Sequence, residues 1–179
     1  FAAIADIHSI KRQIHVHKVD ERLTAKGQDL KLGVGGIREI EFYVQTQQLI
    51  LGGRKPELRG RRTLDTLQAL RDAGHVAPDA CAELTEAYRT LRALEHRVQM
   101  IADEQTHRLP ESEAERRRVA ALSGYDNLRS FDAAVVKVLK TVNARYGELF
   151  AGEEELASKF GSLVFTGVDD DPETLRTLS

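Results

Sequence analysis

The segment with the most chemically suggestive spacing is KLGVGGIREIEF, at residues 31–42, where a glycine-rich turn precedes a helical pattern. Gly33, Gly35 and Gly36 allow backbone angles that residues with a Cβ resist. The first N–H groups of a helix carry partial positive charge and readily bind an anion, phosphate above all. We expect these N–H groups to be free here. With the charge of Lys31 nearby, the segment predicts a phosphate-binding turn, although it is neither a P-loop nor a dinucleotide fingerprint.

The helix that begins after this turn carries a narrow polar stripe between large apolar side chains. At 3.6 residues per turn, the stripe contains Arg38, Glu41, Gln45 and Gln48. Charges placed between apolar groups need partners, because taking an unpaired charge out of water costs several kcal/mol or more. Two interpretations stay open: Arg38 and Glu41 pair with each other along the helix, or the stripe takes part in chemistry.

Hydrophobic periodicity predicts an all-α fold, a mostly antiparallel helical bundle of three long and two or three short helices. The periodicity is lost from residue 152 to 179, so we expect a bundle over 1–151 and a connector toward the next domain over 152–179. Glycines, prolines and capping residues predict helices over 1–26, 37–51, 61–73, 78–103 and 112–124, and a last one from a cap at Asp126 or Asn127 to about 151.

Composition narrows the possible functions. Of the 179 residues, 41% are hydrophobic, which is enough for the core of one domain. The net charge of −2 argues against a dedicated nucleic-acid-binding protein, which usually has a basic excess. No apolar run approaches the roughly 20 residues of a membrane span, so no membrane association is expected. The single Cys81 cannot form an internal disulfide and suits a cytoplasmic location.

Histidines and carboxylates elsewhere in the sequence do not predict a metal site. His17 faces away from His8 and His15 on the predicted first helix. The adjacent carboxylates at 169–171 are better explained by Asp171 as a helix cap before Pro172.

For one histidine and two groups of arginines, a structural role is the first interpretation. His107 is expected to pack its ring and bond a backbone carbonyl, with a general acid or substrate contact as the alternative. The basic cluster Arg59, Arg61 and Arg62 is expected to face solvent, with contact to a phosphate or an acidic partner as the alternative. The arginines at 116–118 are also expected to point to solvent.

Separated sequence runs together give a specific resemblance. They are KLGVGGIREIEF at 31–42, VQTQQLILGGRKPELR at 44–59, DEQTHRLP at 103–110 and FTGVDDDPETL at 165–175. They closely resemble the glutamine synthetase adenylyltransferase family, whose large bifunctional members carry two nucleotidyltransferase halves, and GGIREIEF resembles the N-terminal, adenylyl-removing half. The Gly-Ser-Asp-x-Asp and Asp-x-Arg-Leu-Arg-Pro motifs of that family, which supply metal-binding carboxylates, do not occur in these 179 residues. We therefore expect the helical region that follows a missing nucleotidyltransferase core, cut from a longer chain.

The resemblance implies an enzyme that attaches AMP to a glutamine synthetase tyrosine and removes it again by phosphorolysis. It implies Mg²⁺ in the full-length enzyme, ATP, ADP and phosphate as substrates, and glutamine synthetase and the PII signal protein as partners. Within this region, Lys31 and the glycine turn would contact phosphate, and Gln45 would border the phosphate or nucleotide. Arg38 would offset developing charge, while Glu41 would orient Arg38 or a metal-bound water.

Two alternatives to an active-site wall remain. The region is a non-catalytic helical module that docks glutamine synthetase or PII, or it is the equivalent region of a PII uridylyltransferase. In every case the isolated fragment is expected to be inactive, because the metal-binding carboxylate motifs are absent.

Overall fold

The computed structural model describes the backbone of residues 23–160 and the side chains of residues 23–148. The chain divides into two compact units, residues 1–146 and 147–179. The histidines of the predicted first helix and the carboxylates at 169–171 lie outside the described residues. The described end of that predicted helix, residues 23–26, is not helical.

The described residues form five α-helices and no β-strand, which confirms the all-α prediction. The helices are α1 (Ile37–Leu51), α2 (Thr63–Asp72), α3 (Pro78–Ala102), α4 (Glu113–Leu122) and α5 (Leu128–Phe160), with a short 3₁₀ helix at Pro56–Leu58. The predicted end of the last helix near residue 151 is wrong, because α5 continues to Phe160. No helix of the described residues is long and apolar enough to cross a membrane.

Local signals explain where these helices begin and end. Gly74, in the left-handed region with φ +75°, follows α2, and Pro78 occupies the first turn of α3. Asp103 adopts the left-handed conformation, with φ 52°, and ends α3. The side chain of Asn127 accepts a hydrogen bond from the Ser130 N–H, at 2.8 Å, and so caps α5.

Helix α3 is the centre of the first unit, because α1, α2 and α4 all pack against it. Apolar side chains from these helices and from α5 are withdrawn from water, which is the main favourable term in folding. The largest fully buried ones include Leu30, Ile37, Ile40, Leu67, Leu70, Leu84, Leu91, Leu109, Phe131 and Leu139.

Within the first unit, α5 runs antiparallel to α3. Arg145, late in this part of α5, bridges Asp79 at 2.6 Å and Glu83 at 2.8 Å near the beginning of α3. Earlier α5 residues such as Phe131 line a groove together with Leu94, which lies further along α3. The hydrogen bond from Arg145 lowers the pKa of Asp79 below its usual range.

The basic segment after α1 is folded back onto the helix. Gln48 Nε2 donates to the carbonyl oxygens of Leu58 and Gly60, both at 2.8 Å. Arg59 Nε donates to the Gly52 carbonyl at 2.7 Å, so this arginine closes the turn instead of simply facing solvent. Arg61, in contrast, is exposed as predicted, and so is Arg62.

The prediction that all three arginines of α4 face solvent is wrong for Arg116. Its side chain is buried and donates to both carboxylate oxygens of Asp132, at 3.0 and 3.3 Å. It also donates to the Pro110 and Glu111 carbonyl oxygens. Arg116 therefore ties α4 to α5 and to the loop before it, which a sequence of three adjacent arginines does not reveal.

Candidate functional site

Two distant loops meet beside the start of α1. The Leu30 N–H donates to the His107 carbonyl at 2.8 Å, and the Leu109 N–H donates to the Gln28 carbonyl at 2.9 Å. These bonds form an isolated antiparallel bridge between Asp29 and Arg108. The glycine-rich run and the DEQTHRLP run, recognised separately in the sequence, are therefore neighbours in space.

The expectation of free N–H groups at the start of α1 is wrong. The N–H groups of Ile37 and Arg38 donate to the carbonyl oxygens of Leu30 and Lys31, at 2.9 and 3.0 Å. The buried carboxylate of Glu39 accepts the Gly35 N–H at 3.0 Å, a contact that resembles half of a capping box. This terminus is thus already occupied by groups of the chain itself.

The glycines of the turn have packing roles that do not require a ligand. Gly35 has φ +73°, and a Cβ there would come within 2.1 Å of the Leu139 carbonyl oxygen of α5. A Cβ on Gly33 would lie 2.4 Å from the Asp29 carbonyl oxygen, and one on Gly36 would lie 2.8 Å from that of Lys31. The Gly33 N–H donates to the Asp29 carbonyl and the Gly36 N–H to the Gly33 carbonyl. Phosphate binding by these glycines stays a prediction, and a phosphate would have to replace one of these acceptors.

The carboxylate of Glu41 pairs with α3 and not with Arg38. Arg92 Nη2 lies 3.4 Å from Glu41 Oε1, and the Tyr88 hydroxyl lies 3.5 Å from the same oxygen. Arg92 also donates to the Tyr88 hydroxyl at 3.3 Å, and its guanidinium carbon is 5.4 Å from the centre of that ring. The intrahelical pair of Arg38 and Glu41, one of the two interpretations that stayed open, is therefore not formed, because Glu41 is bound to a different helix.

A second carboxylate, Glu95, lies close to polar side chains from α3 itself and from both loops. Its side chain is 3% exposed and accepts a hydrogen bond from Arg92 Nη1 at 2.8 Å, which raises the pKa of Arg92. Lys31 Nζ lies 3.8 Å from Glu95 Oε1. His107 Nδ1 lies 2.9 Å from the same oxygen, but its ring is not oriented for a hydrogen bond. We call these six residues the charged cluster: Lys31, Glu41, Tyr88, Arg92, Glu95 and His107.

Outside the glycine turn, the predicted site residues are divided between the charged cluster and the surface. Lys31 and Glu41 belong to the charged cluster, and each remains partly accessible to solvent. Arg38 and Gln45 are exposed, and Arg38 has no ion pair with any described residue. The Arg38 N–H donates to the Lys31 carbonyl, so the two residues are neighbours at the start of α1.

Sequence reasoning did not assign Tyr88, Arg92 or Glu95 to the site. Tyr88 follows the apolar periodicity of α3, whereas Arg92 and Glu95 belong to a polar face that pairs within the helix. What marks Glu95 is its burial, because a carboxylate withdrawn from water needs several donors or cations, and only the tertiary structure shows that burial.

The described residues do not fit a metal centre. They contain no group of three or more His, Cys, Asp or Glu side chains that could hold a metal ion. The two carboxylates of the charged cluster are each engaged by cationic side chains. We therefore derive no step through Mg²⁺ from this part of the chain.

The fold and the site together define a class of protein: an all-α module that carries a charged cluster between two loops and two helices. The chain belongs to the GlnD PII-uridylyltransferase family, whose model matches residues 8–150.

Individual relatives carry a different description. The chain is 76% identical over 178 residues to a bifunctional glutamine synthetase adenylyltransferase/adenylyl-removing enzyme of Caulobacter vibrioides. Proteins with the same description are 56% identical over 178 residues in Rhizobium meliloti and 54% identical over 179 residues in Agrobacterium fabrum. These matches cover 99–100% of this chain, which spans only 18% of the length of each relative. The resemblance that the motifs indicated is confirmed.

Proposed function

We propose that this chain is part of a bifunctional enzyme that adenylylates and deadenylylates glutamine synthetase, and that it belongs to the deadenylylating half. The observation that carries the proposal is the 76% identity to such an enzyme, extending over 99% of the chain. The GGIREIEF segment lies within this match, and its resemblance to the adenylyl-removing half supports the assignment to that half.

In the proposed reaction, phosphate attacks the phosphorus of adenylyl-tyrosine. A bond forms between a phosphate oxygen and that phosphorus, the bond to the tyrosine oxygen breaks, and ADP leaves while the tyrosine oxygen takes up a proton. Such chemistry depends on positioning and on neutralising charge. This chain supplies one wall of the cleft, where Lys31 contacts phosphate, Arg38 offsets developing negative charge and Gln45 borders the nucleotide.

The side chains of the proposed wall differ in how firmly their surroundings hold them. Lys31 sits on a turn whose N–H groups at Lys31 and Leu32 donate to the Asp29 carboxylate, at 2.9 and 2.8 Å. Arg38 extends from the first turn of α1 and is free to meet a ligand. Glu41 is held by Arg92, so its proposed role is to keep the wall in place and not to orient Arg38.

The remaining parts of the proposal concern the full-length enzyme. Mg²⁺ and ATP would be bound by the nucleotidyltransferase cores outside this chain, and glutamine synthetase and PII would be the protein partners. A cytoplasmic location suits Cys81, which is a buried free thiol.

Arg38→Ala in the full-length enzyme is the cleanest test, because Arg38 is exposed and its removal strands no buried partner among the described residues. We expect deadenylylation to fall about 10²- to 10³-fold in kcat, as on loss of a preorganised charge at a reacting centre. Adenylylation should stay near normal, since it belongs to the other half. Glu41→Gln should also impair deadenylylation, but it requires a stability control because stranding Arg92 has its own cost.

Arg118→Ala on α4 is the matched control, since Arg118 is another exposed arginine of the same domain. Both reactions should be unaffected by this change. A folded Arg38→Ala enzyme with normal phosphorolysis would refute the active-site wall. Weaker binding of glutamine synthetase or PII with normal turnover would favour the docking module instead.

A second candidate is the equivalent region of a PII uridylyltransferase, which the description of the matching family model favours. The two candidates differ in the group that is transferred and in the protein that receives it. Incubating the full-length protein with labelled ATP or UTP and with glutamine synthetase or PII separates them. Label from UTP on PII, with none from ATP on glutamine synthetase, would establish this second candidate.

A further inference from the structure

We infer that Glu95 and Arg92 tune phosphate binding at Lys31 with opposite sign: Glu95 competes with phosphate for the Lys31 ammonium, and Arg92 relieves that competition. This inference rests on the proposed contact between Lys31 and phosphate. It assigns a positioning function to two residues of α3 that sequence reasoning did not place in the site.

Glu95 is suited to be a competing anion because it is buried and cannot turn away to water. Its side chain is 3% exposed, whereas that of Lys31 is 31% exposed. A buried carboxylate must keep cationic or donor groups around it, since losing them would leave an uncompensated charge. Lys31 Nζ lies 3.8 Å from Glu95 Oε1, which is close enough for electrostatic attraction but too far for a tight hydrogen bond. Lys31 is therefore only loosely held and can turn toward a solvent-side anion.

Arg92 keeps Lys31 in this loose state by satisfying Glu95 itself. Its Nη1 donates to Glu95 Oε2 at 2.8 Å, while its Nη2 lies 3.4 Å from Glu41. The Tyr88 ring lies beside the guanidinium and fixes it between the two carboxylates. Lys31 and Arg92 supply two positive charges and Glu41 and Glu95 two negative charges, so these four side chains are electrically balanced.

Each single substitution therefore unbalances the cluster in a defined direction. Glu95→Gln removes a negative charge and leaves Lys31 without a competitor, so phosphate should bind more tightly. Arg92→Gln removes a positive charge that satisfies Glu95. Glu95 then attracts Lys31 more strongly, so phosphate should bind more weakly. One charge about 6 Å away changes an ion's affinity by about 3-fold at the dielectric constant of water and about 100-fold at the effective value near a protein surface. We expect changes of about tenfold in each direction at 0.1 M salt, and smaller ones as salt screens the exposed side of the site.

The experiment measures the KM for inorganic phosphate during deadenylylation by the full-length enzyme. Lys31→Ala is measured first and should raise this KM. Glu95→Gln should lower the KM and Arg92→Gln should raise it. The double variant Glu95→Gln/Arg92→Gln should keep the lowered KM of Glu95→Gln, because Arg92 acts on Lys31 only through Glu95. The double variant also covers the case in which Arg92→Gln alone fails to fold.

Arg145→Gln is the matched control, because Arg145 also bridges two carboxylates of α3 but lies away from Lys31. It should leave the KM for phosphate unchanged. A purely structural role for Glu95 and Arg92 would damage both single variants in the same direction, and that result overturns the inference. An unchanged KM in Lys31→Ala overturns the proposed phosphate contact as well, so the two failures are distinguishable.

Discussion

Replacing Gly35 by alanine tests why the turn before α1 is rich in glycine. Gly35 has φ +73°, and an added Cβ would come within 2.1 Å of the Leu139 carbonyl oxygen. That oxygen belongs to the backbone of a helix and cannot swing aside as the end of a flexible side chain would. The substitution therefore combines left-handed backbone strain with a collision between the turn and α5.

The two contributions can be estimated separately. A left-handed conformation costs a residue with a Cβ roughly 1–2 kcal/mol, and the smaller freedom of the unfolded alanine chain returns about 0.4–1 kcal/mol. Forcing a methyl group into a packed contact costs about 1–3 kcal/mol more. Together these effects should lower the free energy of unfolding by roughly 3 kcal/mol, within a range of about 1–5 kcal/mol.

Two other glycines of the same chain separate strain from collision. Gly74 has φ +75° with nothing within 4 Å of an added Cβ, so Gly74→Ala should lose only about 1 kcal/mol. Gly53 has open space and no positive φ, so Gly53→Ala should be neutral or stabilising by up to about 1 kcal/mol. Urea unfolding followed by circular dichroism measures all three variants. If Gly35→Ala is no less stable than Gly74→Ala, the packing explanation is wrong and Gly35 is needed for another reason, such as phosphate binding.

Three further outcomes are expected. Arg116→Met should lower the free energy of unfolding by about 1–3 kcal/mol, because it leaves the partly exposed Asp132 carboxylate and two carbonyl groups without their donor. Arg117→Met, at an exposed pair, should change it by at most about 1 kcal/mol in the same denaturation assay. Burial, together with the negative charge of Glu39, raises the pKa of Tyr146 to about 12. Between about pH 10 and pH 12 the folded state therefore keeps the Tyr146 proton, whereas an unfolded tyrosine, with a pKa near 10, has lost it. The free energy of unfolding should fall by about 1.4 kcal/mol for each pH unit in this range. In Tyr146→Phe this part of the pH dependence should disappear. The purified 179-residue chain should fold cooperatively yet form no ADP from adenylylated glutamine synthetase and phosphate; measurable ADP would contradict its assignment as one wall of an incomplete site.

The sequence by itself determined the five α-helices of the described residues and most of their boundaries, because these depend on neighbouring residues. Pro78 can begin a helix but not continue one, Gly74 accepts a left-handed backbone, and Asn127 caps the helix that follows it. The end of α5 was missed because Gly152 is a poor helix former and suggested a stop. The glutamates that follow it favour a helix, and the helix continues past that glycine to Phe160.

Only the tertiary structure decided how the candidate site is assembled. Helical periodicity could place Glu41 on a stripe with Arg38, but it could not show that Glu41 pairs with Arg92, 51 positions later in the chain. It also could not show that the start of α1 is filled by Glu39 and by the carbonyl groups of the preceding turn. Whether a charged group is free or paired depends on which distant elements pack against it, and that information is absent from the spacing of residues along one helix.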